Sequence, residues 1–194
     1  MNSKLHINPK GNIEAFYVFN DNTRKTVLQC HNAAMYSSCG IIASALCNKN
    51  YPGINAMYMA YFNGEGDPDW PSIDKTMTTE YFKNLTGSYG YIKVPIILAG
   101  MSSTGTLFGN NIMTVHGISM DNISQSTDGA EFSATNQSKV FAVALVSSPD
   151  LETTTDDTIF SMANIQIDGN NSYIDKLANA QIGIAWTVTI GDSE

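Results

Sequence analysis

Charge is scarce in this chain. Only 14% of its 194 residues are Asp, Glu, Lys or Arg, against about 25% in an ordinary soluble domain. Ten are basic, and they are scattered, so no Lys/Arg cluster of the kind that phosphate backbones require is formed. With a formal net charge of −8, neither nucleic acid nor an anionic membrane is an expected partner. Long hydrophobic runs are missing too, none approaching the roughly 20 apolar residues that span a bilayer. The opening MNSKLHINPKGN lacks the apolar core of a signal peptide. These features predict a protein made and kept in a cytoplasm, or released by lysis. The Asn-x-Ser/Thr matches at Asn84, Asn122, Asn136 and Asn170 would then carry no glycan.

Cysteine is also sparse. All three fall in LQCHNAAMYSSCGIIASALC, Leu28 to Cys47, beside His31. Leu28, Met35, Cys39, Ile42 and Leu46 recur at helical spacing, which predicts one helix over Thr26–Leu46. On such a helix Cys30 and Cys39 would face opposite sides, and Cys39 and Cys47 would lie about 12 Å apart along the axis. Tetrahedral zinc needs converging ligands, and a disulfide needs Cα atoms within roughly 7 Å. Neighbouring side chains on a helix diverge, so Cys30 and His31 make no catalytic dyad. The reading is a helix that packs, with Cys39 as a small hydrophobe.

What the chain does have is 43% hydrophobic residues, with aromatics making up 10% of the whole sequence, enough for a core. Asn, Ser, Thr and Gly stand where charge would be. β-Like runs are Asn12–Asn20, Ile54–Phe62, Tyr89–Leu98 (with Pro95 marking an edge or bulge), Ile112–Met120, Ala130–Ala134, Lys139–Ser147, Ile159–Ile167 and Ile182–Ile190, with a short helical stretch at Thr78–Leu85. Turn-rich clusters separate them. The predicted fold class is mainly β: an antiparallel β-sandwich or jelly roll with one packed N-terminal helix. Residues 1–25 form an N-terminal arm and first strand. Residues 26–194 form a single β-sandwich domain that includes the helix over 26–46.

No constellation of residues spells out a reaction. Glu65, Asp67 and Asp69 alternate in EGDPDW and offer hard oxygens to calcium, but the EF-hand pattern is absent. An acidic hairpin tip with Trp70 tucked beneath it is the plainer reading. GMSSTGT, from Gly100 to Thr106, has phosphate-loop glycine spacing with Thr in place of the lysine, and reads as a turn. His116 alternates with apolar residues and has no Ser/Asp or Cys/Asn partners assignable to it. His6 lies in a polar arm, and Asp156–Asp157 reads as a solvated loop. No catalytic, cofactor-binding or metal-ligating residue is predicted.

The order of segments carries more information than any motif. INAMYMAYFN leads to DPDWP, then YGYIKVPI, NNIMTVHGIS, KVFAVALVSSP, DDTIFSMANI and IGIAWTVTI. With its Gly-Tyr-x-Lys-Val-Pro strand, Asn-x-Ile-x-Thr strand and closing Trp-Thr strand, this succession resembles the small structural proteins of tailed-phage virions. The chain departs from the pattern at Ser88 and Tyr89, where charged residues are common, and at Met162, where an Arg is common. The resemblance implies no enzyme activity and no cofactor. It implies an auxiliary or decoration subunit, or a head-fibre or tail component, located in the virion and in the host cytoplasm during assembly. Its partners would be capsid or other virion proteins and further copies of itself, a trimer being one state that would suit. Leu5, His6, Ile7 and Asn8 of the arm, with Trp70, are the expected contact residues. A carbohydrate-binding β-sandwich is the rival expectation, with Trp70, Tyr58 and Tyr61 as its platform. Residues 58 and 61 fall on opposite faces of a strand, which weakens that platform.

Overall fold

The computed structural model describes residues 10–19, 21, 23–31, 33–47, 53–103, 111–118, 138–177 and 180–190. In chain order these form β1 (Lys10–Phe19), β2 (Arg24–His31), β3 (Ala33–Ala34), α1 (Tyr36–Leu46), β4 (Ala56–Phe62), α2 (Glu80–Lys83), β5 (Tyr89–Ser103), β6 (Asn111–Ile118), β7 (Lys139–Ser147), β8 (Thr158–Asn164), β9 (Gln166–Ile167), β10 (Asn170–Asn171), β11 (Ile174–Asp175) and β12 (Ala180–Ile190). The protein is mainly β, and its strand pairs are antiparallel.

The main sheet runs β2-β1-β12-β6-β5-β4-β7-β8-β3, with β11 beside β7. β5 joins its two halves. Residues up to Pro95 pair with β4, and residues from Ile96 onward pair with β6. Pro95 sits where the partner changes. The Ile96 amide donates to the Asn55 carbonyl, and the Asn63 amide to the Ser88 carbonyl. Alternation between those bonds puts Pro95, opposite Ala56, at a position that gives β4 no N–H. The missing donor therefore costs the β4 ladder nothing.

Residues alternate between two cores. Met57, Met59 and Tyr61 of β4 join Ile92 and Val94 of β5, Val143 and Leu145 of β7, Phe160 of β8, and Ile13, Ala15, Leu28, Ile182, Ile184 and Trp186 from the other half of the sheet. Ala56, Tyr58, Ala60 and Phe62 point the other way, into a second cluster with Phe82, Tyr91, Phe141, Ala142 and Ala144. Because both faces of β4 are covered, its sequence AMYMAYF is apolar throughout, without the polar alternation of a half-exposed strand. The register between β4 and β7 shifts between Ala60 and Tyr61, so Ala60 opposes Ala142 and Tyr61 opposes Val140. The bulge leaves Phe141 unpaired, and both Phe141 and Ala142 join the second cluster.

Several aromatic rings lie on glycines. Phe16 covers its cross-strand partner Gly183, and Arg24 stacks over Phe16 with its guanidinium 5.1 Å from the ring centre. Tyr61 likewise covers Gly90, opposite it on β5. The missing Cβ gives each ring a seat on the sheet.

The predicted helix over Thr26–Leu46 needs correcting. Residues Arg24–His31 are the strand β2, and helix is confined to Tyr36–Leu46. A turn built on Asp21, whose side chain accepts from the Thr23 amide at 2.9 Å, folds β2 back onto β1. Thr26 and Val27 are β-branched and suit a pleated surface. Leu28 faces the core, while Arg24, Lys25, Thr26 and Gln29 are exposed. Tertiary pairing along β1 thus overrides a helical spacing that Leu28 shares by coincidence. α1 itself lies along β8. The Met35 amide donates to the Phe160 carbonyl and the Ser37 hydroxyl to the Ile159 carbonyl, so this segment covers the edge of β8. Cys30 and His31 therefore belong to a strand, Cys39 to α1, and Cys47 is an exposed free thiol just after it.

Candidate functional site

The chemically distinctive place is a buried polar node on the second core. Tyr58 and Lys93 are direct cross-strand neighbours on β4 and β5. Tyr58 is wholly buried among Phe82, edge-on at 5.2 Å between ring centres, and Tyr91 at 5.0 Å. Segment 148–157 between β7 and β8 closes over this side as a strap. Asn55 anchors its start, accepting from the Ser148 amide at 2.9 Å and donating to the Ser148 carbonyl at 2.8 Å.

At the strap's end Asp157 turns inward, behind an Asp156 held at φ 61°. The Asp157 Oδ2 lies 2.9 Å from the Lys93 Nζ, with side-chain exposures of only 5% for Lys93 and 0% for Asp157. Tyr58 donates its hydroxyl proton to the same Oδ2. Burial, and then the bond to Asp157, hold the Tyr58 phenol well above its usual range. The Lys93 Nζ also donates to the Ser148 Oγ at 2.6 Å, to the Asp150 carbonyl at 2.7 Å and to the Thr153 carbonyl. The Asp157 Oδ1 has no hydrogen-bond partner among the described residues. One ammonium therefore ties the strap to β5 at four points. The Asp156–Asp157 loop is not simply solvated: Asp156 is exposed and Asp157 is buried.

The sequence-derived candidates are placed elsewhere. Leu5, His6, Ile7 and Asn8 lie outside the described residues. Trp70 is half-buried against the second core; its indole N–H donates to the Ser172 carbonyl at 2.8 Å. Next to it Asn164 donates to the Pro71 carbonyl at 2.9 Å, and Pro68 is buried. The acidic loop is thus held down by its proline and tryptophan, while Glu65, Asp67 and Asp69 stay exposed. Among the described residues no three His, Cys, Asp or Glu side chains come together as a metal site. Tyr58 and Tyr61 are both fully buried, in different clusters, so neither is available to a sugar at the surface. Gly100–Ser103 end β5, while Thr104–Thr106 lie outside the described residues. His116 pairs with Ala185 and Ile97 inside the sheet. Ala130–Ala134 lies outside the described residues.

Sequence reasoning missed Lys93 and Asp157, although one signal was present. The unbroken apolar run of β4 requires cover on both faces, so a lysine one strand away in the phase of Tyr89 and Tyr91 must be buried with an acid. Which acid could not be read locally. Compared with protein families, curated proteins and solved structures, the chain finds no match.

Proposed function

We propose that the chain is a structural virion protein, an auxiliary or decoration subunit that binds a capsid surface or vertex by non-covalent assembly. One observation carries the proposal. The six segments INAMYMAYFN, YGYIKVPI, NNIMTVHGIS, KVFAVALVSSP, DDTIFSMANI and IGIAWTVTI fall on β4, β5, β6, β7, β8 and β12. These strands are consecutive in the sheet, in the order β12-β6-β5-β4-β7-β8. The resemblance to tailed-phage structural proteins thus maps to one continuous body of structure. A sandwich of the jelly-roll type is the finer fold we propose, with β5 shared between two layers that enclose the first core.

The sparing use of charge fits the same reading. Neutral polar loops can be buried between subunits with less desolvation cost than charged ones, and many weak copies add through symmetry. The partners are capsid or other virion proteins and further copies of this chain. The test is light scattering at two concentrations, followed by co-sedimentation with particles assembled without the protein. Saturable binding at a whole number of copies per symmetry site is expected for a decoration subunit. Binding only to tails or isolated fibres would move the protein to those structures, and no binding to any particle would refute the proposal.

A further inference from the structure

We propose that Lys93 and Asp157 are the partners of an intramolecular amide crosslink that closes the 148–157 strap onto β5. The amine nitrogen lies 2.9 Å from the carboxylate oxygen, and both side chains are at least nine-tenths buried, so bulk water is kept from competing with the amine. A third group, the Tyr58 hydroxyl, is bonded to the very oxygen that must leave. As an ion pair the node is poorly solvated, because the Asp157 Oδ1 finds no partner among the described residues. Condensation removes both buried charges at once.

The step balances without any co-reactant. Proton transfer within the pair makes the amine neutral, and its lone pair attacks the Asp157 Cγ. The C–N bond forms, the C–Oδ2 bond breaks, and Oδ2 leaves as water. That water carries the ammonium proton already transferred within the pair and a second proton delivered by Tyr58, which is replaced by another from the nitrogen. The third ammonium proton stays on the amide nitrogen. Tyr58 thus serves as a proton relay. Ser148, Asp150 and Thr153, which accept from Nζ, position the amine; afterwards a single N–H remains for them.

The intact mass of the purified full chain, measured under denaturing conditions, tests this. The expected result is the loss of one water, with a branched tryptic peptide joining the Lys93 and Asp157 segments. Lys93→Arg and Asp157→Ala should each restore the full mass. Tyr58→Phe should slow closure roughly a hundredfold, which mass spectrometry follows from the time of synthesis. A wild-type chain that is folded by near-UV circular dichroism, yet keeps its full mass after prolonged incubation, would overturn the crosslink. So would a water loss that persists in Lys93→Arg, since it would then arise at another site.

Discussion

Replacing Gly90 with alanine tests whether the ring-on-glycine contacts organise the core. A Cβ built on Gly90 would stand 2.6 Å from the Tyr61 Oη and 2.7 Å from its Cζ, where non-bonded carbon contacts settle at about 3.5–4.0 Å. The Tyr61 ring would have to move by about 1 Å, and it is fully buried in the first core, which is packed too densely to give way freely. Overpacking of this kind costs about 1–3 kcal/mol. At ~2–4 °C per kcal/mol for a chain of this size, Gly90→Ala should lower Tm by several degrees. A double-mutant cycle isolates the cause. Tyr61→Leu alone should cost about 2 kcal/mol through the lost ring. In the double variant the new methyl enters vacated space, so the combined loss should fall short of the sum by at least ~1 kcal/mol. Urea denaturation measures all four corners. Additivity to within about 0.5 kcal/mol would refute the steric argument and place the glycine's role in the backbone.

Three further outcomes follow from the same geometry. Gly183→Ala would place a Cβ 2.3 Å from the Cε2 of Phe16, which is only 4% exposed, so it too should lower Tm by several degrees; an unchanged Tm would contradict this. Lys93→Met leaves the Asp157 carboxylate buried without its cation, a situation that costs about 3–5 kcal/mol, so the double variant Lys93→Met/Asp157→Leu, which has no buried charge, should be more stable than Lys93→Met alone. Urea midpoints that fail to separate the single from the double variant would refute the pairing. Burial, with help from neighbouring Asp175 and Tyr89, pushes Tyr17 and Tyr81 up to about 12, while unfolded phenols ionise near ~10. Between those values the folded chain holds more protons, so stability should be intact below about pH 10 and fall as pH rises towards about 12. Urea midpoints that are the same on either side of that window would show these phenols to be solvated.

Strand positions were the most legible part of the sequence. β4, β7 and β12 follow from runs of aromatic and β-branched residues between turn clusters, and β7 has the predicted ends, Lys139 and Ser147. β2 was not legible, because RKTVLQCH borders a true helix and its apolar spacing continues that helix's period. Only pairing with β1, a non-local event, decides between the two. The same holds for the polar node. Lys93 lies within an apolar strand and Asp157 at the end of a polar loop, and their meeting depends on the strap's path over Tyr58. Trp70 announced itself by type, but the carbonyl that engages its N–H lies about a hundred residues away. Sequence therefore exposed the elements and concealed their pairings, because the pairings join residues that share no local pattern.

The place of β12 in the sheet has a consequence for how the protein is made. It runs between β1 and β6, completing ladders on both sides, while Tyr17 finds its acceptor on Asp175, 158 residues further along. On the ribosome β1 and β2 emerge early and must wait as a hairpin, with one edge open until β12 appears. Closure is thus delayed until most of the chain has been translated, which makes folding slow and leaves incomplete chains with a bare strand edge. A ribosome that stops before β12 releases a product that chaperones or proteases will meet first. The topology itself thus screens out truncated chains.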